Sequence, residues 1–489
     1  MIDHAEAYAL LRSRDRRFDG RIFVAVVTTG VYCRPSCPAM MPKPENVRFY
    51  PSSAAAQEAG FRTCKRCRPD AVPGAPEWNV RADLAGRAML LIADGIVDRE
   101  GVAGLAARLG YSERHLHRQL VAELGAGPQA LARAQRAQTA RILLEETALP
   151  VSEIAFAAGF SSLRQFNTTV RQVYGMPPTG LRRAAEGRGK VATPGTINVR
   201  LSHRPPLDAG ALFGFLAERA VPGIEEGDED FYRRSLVLPH GSAVVTSRTD
   251  ADGRHVCCEL RLEDLRDLPA AVQRCRRLLD LDADPQEITS ALGEDPLLGP
   301  LITASPGRRV PGHVDGAELA VRAVLGRQIG AEAARTFAAR LVTRYGRPLA
   351  EPVGAVTHGF PRMDVLAEAD PGDLALPHRR GRTLVELAGR LASGTIRLDA
   401  GADREEAGRR LLTVAGIGPW TAGYIRMRAL GDPDVFLPAD PGIRRALSRL
   451  GHPRTSTAGR ETARRWRPWR SYAVQHLWAV PGEPPAPSA

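Results

Sequence analysis

Two stretches in the first half of the chain place apolar residues at helical spacing on either side of a glycine. Residues 102–120 predict two helices joined at Gly110, the second of them capped by Ser112. Residues 151–166 repeat this pattern, with Gly159 at the turn and a serine before the second helix. One copy would be read as an ordinary helical hairpin, but the repeat predicts a pair of helix-turn-helix units.

The hydrophobic pattern changes downstream of these helices. Gly, Pro and small residues fill positions 186–195 and predict a linker. Short apolar alternations bounded by Pro, Gly and Asp then predict half-buried strands, at residues 197–201, 235–238, 243–246 and 255–262. From about Asp315 onward the spacing predicts helices again, and the Pro-rich residues 481–489 predict a disordered end.

The composition is that of a globular protein, with 44% apolar and 25% charged residues among 489. This length predicts three or four domains, at roughly 100 to 200 residues each. Nothing at the N-terminus resembles a signal peptide and no apolar run approaches a membrane span, so a reducing, cytoplasmic location without membrane contact is expected.

The formal net charge is +12, and residues 1–190 hold 27 Lys and Arg against 18 Asp and Glu, a net of +9. Arg outnumbers Lys, which favours bidentate contacts with phosphate. A nucleic acid is therefore the expected partner. The second helix of each helix-turn-helix unit carries residue types that reach base edges and phosphates, namely Arg114, His115 and Arg118 in the first and Ser162, Arg164 and Gln165 in the second.

Four cysteines near the N-terminus have the spacing of a tetrahedral thiolate metal site. A Cys-x3-Cys pair and a Cys-x2-Cys pair are separated by a long loop, as Cys33, Cys37, Cys64 and Cys67. In a reducing compartment zinc is expected rather than disulfides. A purely structural zinc ribbon remains open as an interpretation, because closed four-thiolate sites are usually structural. The surrounding sequence is unusually basic for such a site, with Lys43, Arg48, Arg62, Lys65, Arg66 and Arg68.

Two short segments of the C-terminal half point to DNA chemistry. Gly416 and Gly418 predict a tight turn between helices whose backbone N–H groups could hold a phosphate without reading sequence. Asp440, followed by Pro441, predicts the N-cap of a helix. Capping alone would explain this aspartate, yet a carboxylate fixed at a helix start could also stabilise a positively charged reaction intermediate.

The two helix-turn-helix units resemble the AraC-type DNA-binding domain. Together with the cysteine module they resemble the N-terminal half of the Ada adaptive-response protein, and the matching words lie at residues 23–37, 45–50 and 59–70. The resemblance implies that zinc-bound Cys33 accepts a methyl group from a DNA methylphosphotriester and that the protein then activates transcription, with RNA polymerase as a partner. Met40 and Pro44 depart from the family pattern, which carries basic residues there.

The C-terminal half resembles the superfamily of helix-hairpin-helix DNA glycosylases that have a Gly/Pro-rich loop followed by an aspartate. Within this superfamily it resembles the AlkA-type 3-methyladenine glycosylases in particular. The resemblance spans about residues 196–481. It implies that Asp440 is the catalytic carboxylate. It also implies a base pocket of Trp420, Tyr424, Trp478 and Phe215, and contacts to DNA through Gly416, Gly418, Thr421 and the wedge residue Gln328.

Three features of this half refine the expected activity. Members of the superfamily that also cut the backbone carry a Lys at the Trp420 position, so this chain is expected to use water and leave an abasic site. Gln328 and Ala479 depart from the AlkA pattern, in which an apolar wedge and an aromatic residue are expected. The Pro-Cys-His-Arg word of the alkylguanine transferase domain is missing from the sequence.

The sequence thus predicts a multidomain α+β protein that senses DNA alkylation and repairs it. The expected domains are 1–76 (zinc-binding methyl acceptor), 80–185 (all-α, AraC-type), 186–195 (linker), 196–308 (AlkA-type N-terminal α+β), 309–481 (all-α helix-hairpin-helix glycosylase) and 482–489 (disordered tail). Its partners would be damaged DNA and promoter DNA, in the nucleoid of a bacterial cytoplasm. Two alternatives are a transcription regulator with a decayed glycosylase module, and a glycosylase whose first half only localises it on DNA.

Overall fold

The computed structural model describes residues 3–71, 84–185, 195–250, 253–326, 330–374, 376–453 and 455–480. These residues divide into two compact units, Met1–Arg204 with Leu236–Arg276 and Pro205–Ser235 with Arg277–Ala489. Gln328, positions 186–194 of the predicted linker and the predicted tail lie outside the described residues, and the domain boundaries stay predictions.

Helices dominate both units. They are α1 (His4–Ser13), α2 (Ser53–Glu58), α3 (Leu84–Ala93), α4 (Ile96–Leu109), α5 (Glu113–Leu124), α6 (Pro128–Glu146), α7 (Val151–Ala157), α8 (Leu163–Tyr174), α9 (Pro178–Ala185), α10 (Ala209–Ala217), α11 (Leu268–Leu278), α12 (Pro285–Leu292), α13 (Gly299–Ala304), α14 (Gly316–Leu325), α15 (Ala331–Tyr345), α16 (Met363–Ala367), α17 (His378–Ala392), α18 (Arg404–Leu412), α19 (Pro419–Ala429), α20 (Pro441–Arg449), α21 (Ser456–Thr462) and α22 (Arg470–Trp478).

The strands are short. They are β1 (Phe23–Val26), β2 (Val31–Cys33), β3 (Val47–Tyr50), β4 (Arg62–Thr63), β5 (Ile197–Ser202), β6 (Glu225–Gly227), β7 (Phe231–Val237), β8 (Ser242–Thr249), β9 (His255–Leu262), β10 (Arg347–Val353) and β11 (Val356–Gly359). Short 3-10 helices lie at Arg16–Phe18, Pro44–Asn46, Pro69–Ala71, Leu265–Asp267 and Ala463–Trp466.

A four-stranded sheet with the order β3-β1-β2-β4 organises the cysteine module. Strand β1 pairs antiparallel with β2 and with β3, whereas β2 pairs parallel with β4. Cys33 ends β2, and Cys64 follows directly after β4. Because β2 and β4 are parallel neighbours, their carboxyl ends meet at one edge of the sheet, and this pairing brings the two cysteine pairs together.

Both predicted helix-turn-helix units are confirmed. The turns after α4 and α7 contain Gly110 and Gly159 at φ +79° and +84°, a region that side chains other than glycine rarely adopt. Ser112 and Ser162 cap the following helices α5 and α8. Their hydroxyl oxygens accept hydrogen bonds from the backbone N–H groups of His115 and Gln165, at 3.3 and 3.2 Å respectively. The 19-residue helix α6 connects the two helix-turn-helix units.

The predicted strands are present as β5, β7, β8 and β9. In the first unit β9 pairs antiparallel with both β5 and β8, and in the second unit β6 pairs antiparallel with β7. Strand β6 was not predicted. The expectation of helices throughout from Asp315 onward is wrong at β10 and β11, which form an antiparallel hairpin. Gly346 ends helix α15 and Gly354, at φ +60°, turns the hairpin, so two glycines override the helical spacing there.

The helical part of the second unit packs around one apolar cluster. Helix α14 packs against α17 and α19, and its buried Leu319, Val321 and Leu325 belong to this cluster. Leu384 of α17 and Ile425 of α19 contribute fully buried side chains. The core therefore fixes α19, the helix that carries two of the predicted pocket residues. No helix in the described part of the chain is long and apolar enough to cross a membrane.

A buried ion-pair network stabilises one side of this core. The guanidinium of Arg234 on β7 donates to Glu225 and to Glu318, each at 2.8 Å. Arg322 donates to the same two carboxylates at 2.8 and 3.0 Å. Burial raises the pKa of Glu225, but Arg322 and Arg234 outweigh burial and lower this pKa to about 2. Glu225 is thus held ionised by two guanidiniums, whereas burial outweighs the same guanidiniums at Glu318 and raises its pKa.

Replacing Arg234 by Met should destabilise the protein by about 3–5 kcal/mol, because it removes one of the two cations that compensate a pair of buried carboxylates. The matched control is Arg233→Met, at the preceding residue of the same strand. This variant loses a partly exposed ion pair with Glu226. The control should cost about 1 kcal/mol or less. Denaturant titration followed by circular dichroism measures both changes, and equal losses would contradict the assigned role of the network.

Candidate functional site

The four predicted cysteines form one cluster. Their sulfur atoms all lie within 4.8 Å of one another. Four thiolates around zinc at about 2.3 Å place sulfur atoms about 3.8 Å apart, so the cluster fits a tetrahedral site. Cys33, Cys37, Cys64 and Cys67 hold one zinc ion. The three other cysteines of the chain lie outside this cluster, as Cys257, Cys258 and Cys275.

The loop between the first two cysteines is fixed by Asp19, which sequence reasoning missed. The buried Asp19 carboxylate accepts hydrogen bonds from the backbone N–H and the hydroxyl of Ser36, at 3.1 and 2.6 Å. Arg34 approaches the same carboxylate at 3.5 Å. Burial raises the pKa of Asp19, while Ser36 and Arg34 oppose that rise. The main-chain carbonyl oxygen of Asp19 in turn accepts a hydrogen bond from Arg204 at 2.6 Å.

The environment of the cluster is basic and asymmetric. Cys33 is 8% exposed, and Cys64 is the only one of the four that is not buried. The predicted basic residues are exposed at Lys43, Arg48, Arg62, Lys65 and Arg66. Arg68 is different, because both of its terminal nitrogens bond to Glu145 of helix α6 at 3.1 and 2.9 Å. Met40 and Pro44, the two departures from the family pattern, are both exposed.

The predicted recognition surfaces lie on α5 and α8. Arg114 and Arg118 are exposed on α5, and Arg164 and Gln165 are exposed on α8. His115 is half-buried, because its ring stacks on Tyr111 with centroids 5.0 Å apart and planes 10° apart. Tyr111 itself is exposed and was missed by sequence reasoning, although it directly precedes the serine cap of α5.

Asp440 lies at the wall of a cavity of about 540 Å³ in the second unit. Its carboxylate accepts three hydrogen bonds of 3.0 Å each. The donors are the indole N–H of Trp420, the indole N–H of Trp478 and the backbone N–H of Ile443. Asp440 therefore caps α20 as predicted, and it is also fixed by the two tryptophans. It is 6% exposed, and one oxygen bonds to Trp420 while the other bonds to Trp478 and the cap.

The four predicted aromatic residues come together in this cavity. The rings of Trp420 and Tyr424 stack in nearly parallel planes, with centroids 5.3 Å apart and planes 7° apart. Phe215 and Trp478 are also nearly parallel, at 6.4 Å and 19°. Trp420 and Tyr424 are four residues apart on α19 and share one helix face, whereas Phe215 and Trp478 come from α10 and α22.

Two of the arginines that line the cavity contact its aromatic rings and were not predicted. Arg219 lies 3.8 Å over the ring of Phe215, and Arg428 lies 5.0 Å from the same ring centroid. Arg428 also donates to the hydroxyl of Tyr424 at 2.8 Å. Burial raises the pKa of Tyr424, but Arg428 and Arg219 outweigh burial and lower it. Their spacing in sequence gave no signal, because arginine is abundant throughout the chain.

Gly442 is a further residue that the site requires. A β-carbon at this position would lie 3.1 Å from Asp440 Oδ1 and 3.3 Å from Trp478 Cδ1. Any larger side chain would therefore press on both the carboxylate and the indole that donates to it. The position of Gly442, two residues after the capping aspartate, could have identified it from the sequence as a candidate site residue.

The helix-hairpin-helix turn lies between α18 and α19. Gly416 is exposed at φ +94°, and a β-carbon there would clash with the Thr383 hydroxyl, so glycine is needed on both grounds. Gly418 has φ −101° and nothing within 4 Å of its β position, so its backbone conformation does not require glycine. Thr421 is 2% exposed in α19, and its contact with DNA stays a prediction.

Two further candidates do not join the site. Ala479 is exposed at the end of α22 and does not line the cavity. A second cluster of potential metal ligands consists of Glu225, His313 and Glu318. The guanidiniums of Arg234 and Arg322 already neutralise its carboxylates, which disfavours an additional cation.

Comparison with known proteins finds family models that match separate parts of the chain and a relative that matches nearly all of it. Family models match the metal binding domain of Ada at residues 6–70, a helix-turn-helix domain at 105–184 and the AlkA N-terminal domain at 198–315. The chain is 55% identical over 480 residues to the probable bifunctional transcriptional activator/DNA repair enzyme AlkA of Mycobacterium tuberculosis (strain ATCC 25618 / H37Rv), which covers 98% of this chain and 96% of the relative. The chain belongs to this family of bifunctional transcriptional activators and DNA repair enzymes.

Two other similarities concern the second half of this family member. DNA-3-methyladenine glycosylase 2 of Escherichia coli (strain K12) is 36% identical over 290 residues, which cover 58% of this chain and 98% of that protein. The solved structure of a 3-methyladenine DNA-glycosylase from Archaeoglobus fulgidus has 25% sequence identity and a TM-score of 0.51. It covers 57% of this chain and 97% of its own. The bifunctional family thus combines an Ada-type first half with an AlkA-type second half.

Removing one zinc ligand should abolish stoichiometric zinc binding. We expect one zinc per wild-type chain and a marked loss of zinc in Cys37→Ser, because a three-thiolate site binds the ion less tightly. Cys257→Ser, which removes a cysteine of β9 outside the cluster, should retain the ion. Elemental analysis by mass spectrometry measures both. Full zinc content in Cys37→Ser would contradict the assigned ligand set.

Proposed function

We propose that the second half is a monofunctional DNA glycosylase that excises alkylated bases such as 3-methyladenine. One observation carries this proposal: the Asp440 carboxylate is held by Trp420, Trp478 and the start of α20 at the wall of an aromatic cavity. Asp440 would be the catalytic carboxylate, and Trp420, Tyr424, Trp478 and Phe215 would line the base pocket. A base must leave the DNA stack to reach such an enclosed carboxylate, so base flipping is part of the proposal.

The cavity suits a base that carries a positive charge. Alkylation of a ring nitrogen makes the base cationic, and aromatic faces attract such a base by about 0.5–2 kcal/mol relative to a normal base. As the bond from base to sugar breaks, the positive charge moves from the base to the sugar. A fixed carboxylate beside the sugar favours that movement because its position does not change during the reaction.

Water is the proposed nucleophile. The position at which lyase members of the superfamily carry an attacking amine is Trp420, whose indole N–H is bonded to Asp440. Water would form the new bond to the sugar carbon C1′ and lose one proton to the solvent, and the base would leave with the electron pair of the broken bond. The products would be a free base and an intact strand with an abasic site.

Replacing Asp440 by Asn should lower the single-turnover rate of 3-methyladenine release by about 10²–10⁴-fold, within the range by which positioned acid–base groups contribute. The control is Asp403→Asn, since Asp403 caps α18 in the same way, with its carboxylate 2.9 Å from the N–H of Glu406. Asparagine caps helices about as well as aspartate, so both variants should stay folded.

The outcome separates the proposed enzyme from its main alternative. Release of free base from alkylated DNA is measured chromatographically for wild type and both variants. If neither wild type nor Asp440→Asn releases base, the glycosylase half is a DNA-binding module without catalytic function. If both release equal amounts, Asp440 is not the catalytic carboxylate. Normal release by Asp403→Asn shows that exchanging aspartate for asparagine at a helix cap does not by itself lower base release.

We propose for the first half that Cys33 accepts a methyl group from a DNA methylphosphotriester. The Cys33 sulfur would form a bond to the methyl carbon while the carbon–oxygen bond breaks, and the phosphodiester oxygen would keep the electron pair. Zinc keeps the coordinated sulfur deprotonated and therefore nucleophilic. The exposed Lys43, Arg48, Arg62, Lys65 and Arg66 support an approach of the DNA backbone to this face.

Methyl transfer would then increase affinity for DNA. It removes one negative charge from the cluster, which lowers the repulsion between the thiolates and DNA phosphates. The surfaces of α5 and α8, with Arg114, His115, Arg118, Arg164 and Gln165, would read promoter DNA in two major-groove segments. As an activator the protein would contact RNA polymerase, within the nucleoid of a bacterial cytoplasm.

Incubation with DNA that carries methylphosphotriesters should add one methyl group, on Cys33. Peptide mass spectrometry measures the adduct, and Cys33→Ala with zinc content determined in parallel serves as the matched variant. An adduct on the more exposed Cys64 instead would reassign the acceptor. Absence of any adduct on zinc-loaded wild type would favour a purely structural zinc site.

A further inference from the structure

A second cavity, of about 690 Å³, lies in the second unit beside the proposed active site. We name it the arginine cleft, and define it by six of its lining residues: Trp420, Phe436, Arg460, Arg464, Arg467 and Arg470. Trp420 also lines the cavity beside Asp440, which we call the base cavity. Ala439, which lies in the wall of the cleft, directly precedes Asp440 in the sequence. The cleft therefore shares a wall residue with the site at which a nucleotide would react, and residues adjacent in sequence line the two cavities.

The cleft is strongly basic. Four guanidiniums line it, and the carboxylates recorded as their partners are Asp434 and Glu461. Arg470 is fixed, because it bonds to both oxygens of Asp434 at 2.6 and 3.0 Å. This leaves the cleft with more positive than negative charge among the described residues. An anion is the ligand that such a surface favours.

Two of the other arginines are held only weakly. The side chain of Arg464 is 75% exposed and pairs at 3.0 Å with that of Glu461, which is 67% exposed. Arg467 is 63% exposed and lies 3.5 Å from Asp434. Exposed pairs of this kind contribute little to stability, so these guanidiniums can exchange a carboxylate for a phosphate at little cost. Arg460, on helix α21, is likewise exposed.

The wall of the cleft offers aromatic surface in a fixed position. The half-buried ring of Phe436 packs edge-on against the fully buried Trp466, at 5.7 Å and 71°. Trp466 is itself held by a hydrogen bond from its indole N–H to Asp295 at 2.8 Å. Trp420 is held by Asp440. Guanidiniums beside fixed aromatic faces are the combination that binds a nucleotide through its phosphate and its base or sugar face.

We propose that the arginine cleft binds a nucleotide of the damaged DNA strand next to the one whose base enters the base cavity. Its phosphate would contact Arg460, Arg464 and Arg467, and its base or sugar would pack against Phe436. This proposal rests on the proposed glycosylase function and adds a second nucleotide subsite to it. Continuity of the cleft with Asp440 favours a strand of DNA over a free mononucleotide with the same chemistry.

The test measures the salt dependence of DNA binding. Full-length Arg460→Gln/Arg464→Gln is titrated by fluorescence anisotropy against a duplex with an uncleavable abasic-site analogue. The slope of log Kd against log salt should fall by up to about 0.9, because these arginines neutralise one phosphate and each neutralised phosphate contributes about 0.9. Duplexes shortened on one side of the lesion should lose the difference between variant and wild type, whereas shortening on the other side should preserve it.

Matched variants control for general charge and for folding. Arg344→Gln/Arg362→Gln removes two exposed, carboxylate-paired arginines outside the cleft, and it should leave the slope unchanged. Arg460→Lys/Arg464→Lys keeps both charges and should restore most of the slope. Phe436→Leu should weaken binding without a change in slope, because it removes aromatic contact and no charge.

The results separate this proposal from the proposed function. An unchanged slope in Arg460→Gln/Arg464→Gln, with normal base release, overturns the cleft proposal alone. A reduced slope in a protein that releases no base upholds the cleft and overturns the glycosylase. If a deoxynucleoside monophosphate binds wild type but not the double variant, while the slope with duplex stays unchanged, the cleft binds free nucleotides and the DNA-strand proposal is overturned.

Discussion

The second unit depends on one buried carboxylate that three donors hold in place. Asp440 joins the start of α20 to Trp420 on α19 and Trp478 on α22, so a single side chain fixes three helices around the base cavity. The same contacts fix both indoles, which form part of the cavity wall. In the proposed glycosylase, structural and chemical roles would coincide at this residue, and Gly442 leaves space beside the carboxylate and the indole of Trp478.

Arginine has distinct functions at different depths in this unit. Arg234 and Arg322 are compensated by buried glutamates and stabilise the scaffold. Arg322 also donates to the carbonyl oxygen of Arg219 at 2.7 Å, so the scaffold reaches the residue that stacks on Phe215. At the surface, loosely paired arginines such as Arg464 remain available to a polyanion. Burial and pairing, rather than residue type, decide which of these functions each arginine serves.

In the first unit the zinc cluster is tied to its surroundings at both cysteine pairs. Asp19 fixes the Cys33–Cys37 loop through Ser36, and Arg204 holds the main chain of Asp19. After the second pair, Arg68 bonds to Glu145, and Asp70 pairs with Arg141 at 2.7 Å. Fixed contacts therefore join the residues that follow the second cysteine pair to helix α6, which connects the two helix-turn-helix units.

The sequence by itself determined the features that depend on local spacing: the zinc ligands, the two helix-turn-helix units with their glycine turns and serine caps, and Asp440 as a helix cap. Such features follow from neighbouring residues and backbone geometry, so they can be predicted without a fold. Only the tertiary structure decided which distant side chains meet. It brought Phe215 to Trp478, placed Arg219 and Arg428 against the aromatic rings, and buried Thr421, because packing between helices far apart in sequence sets these contacts. The β10–β11 hairpin shows the same limit, since glycine turns and tertiary pairing replaced the helices that the spacing predicted.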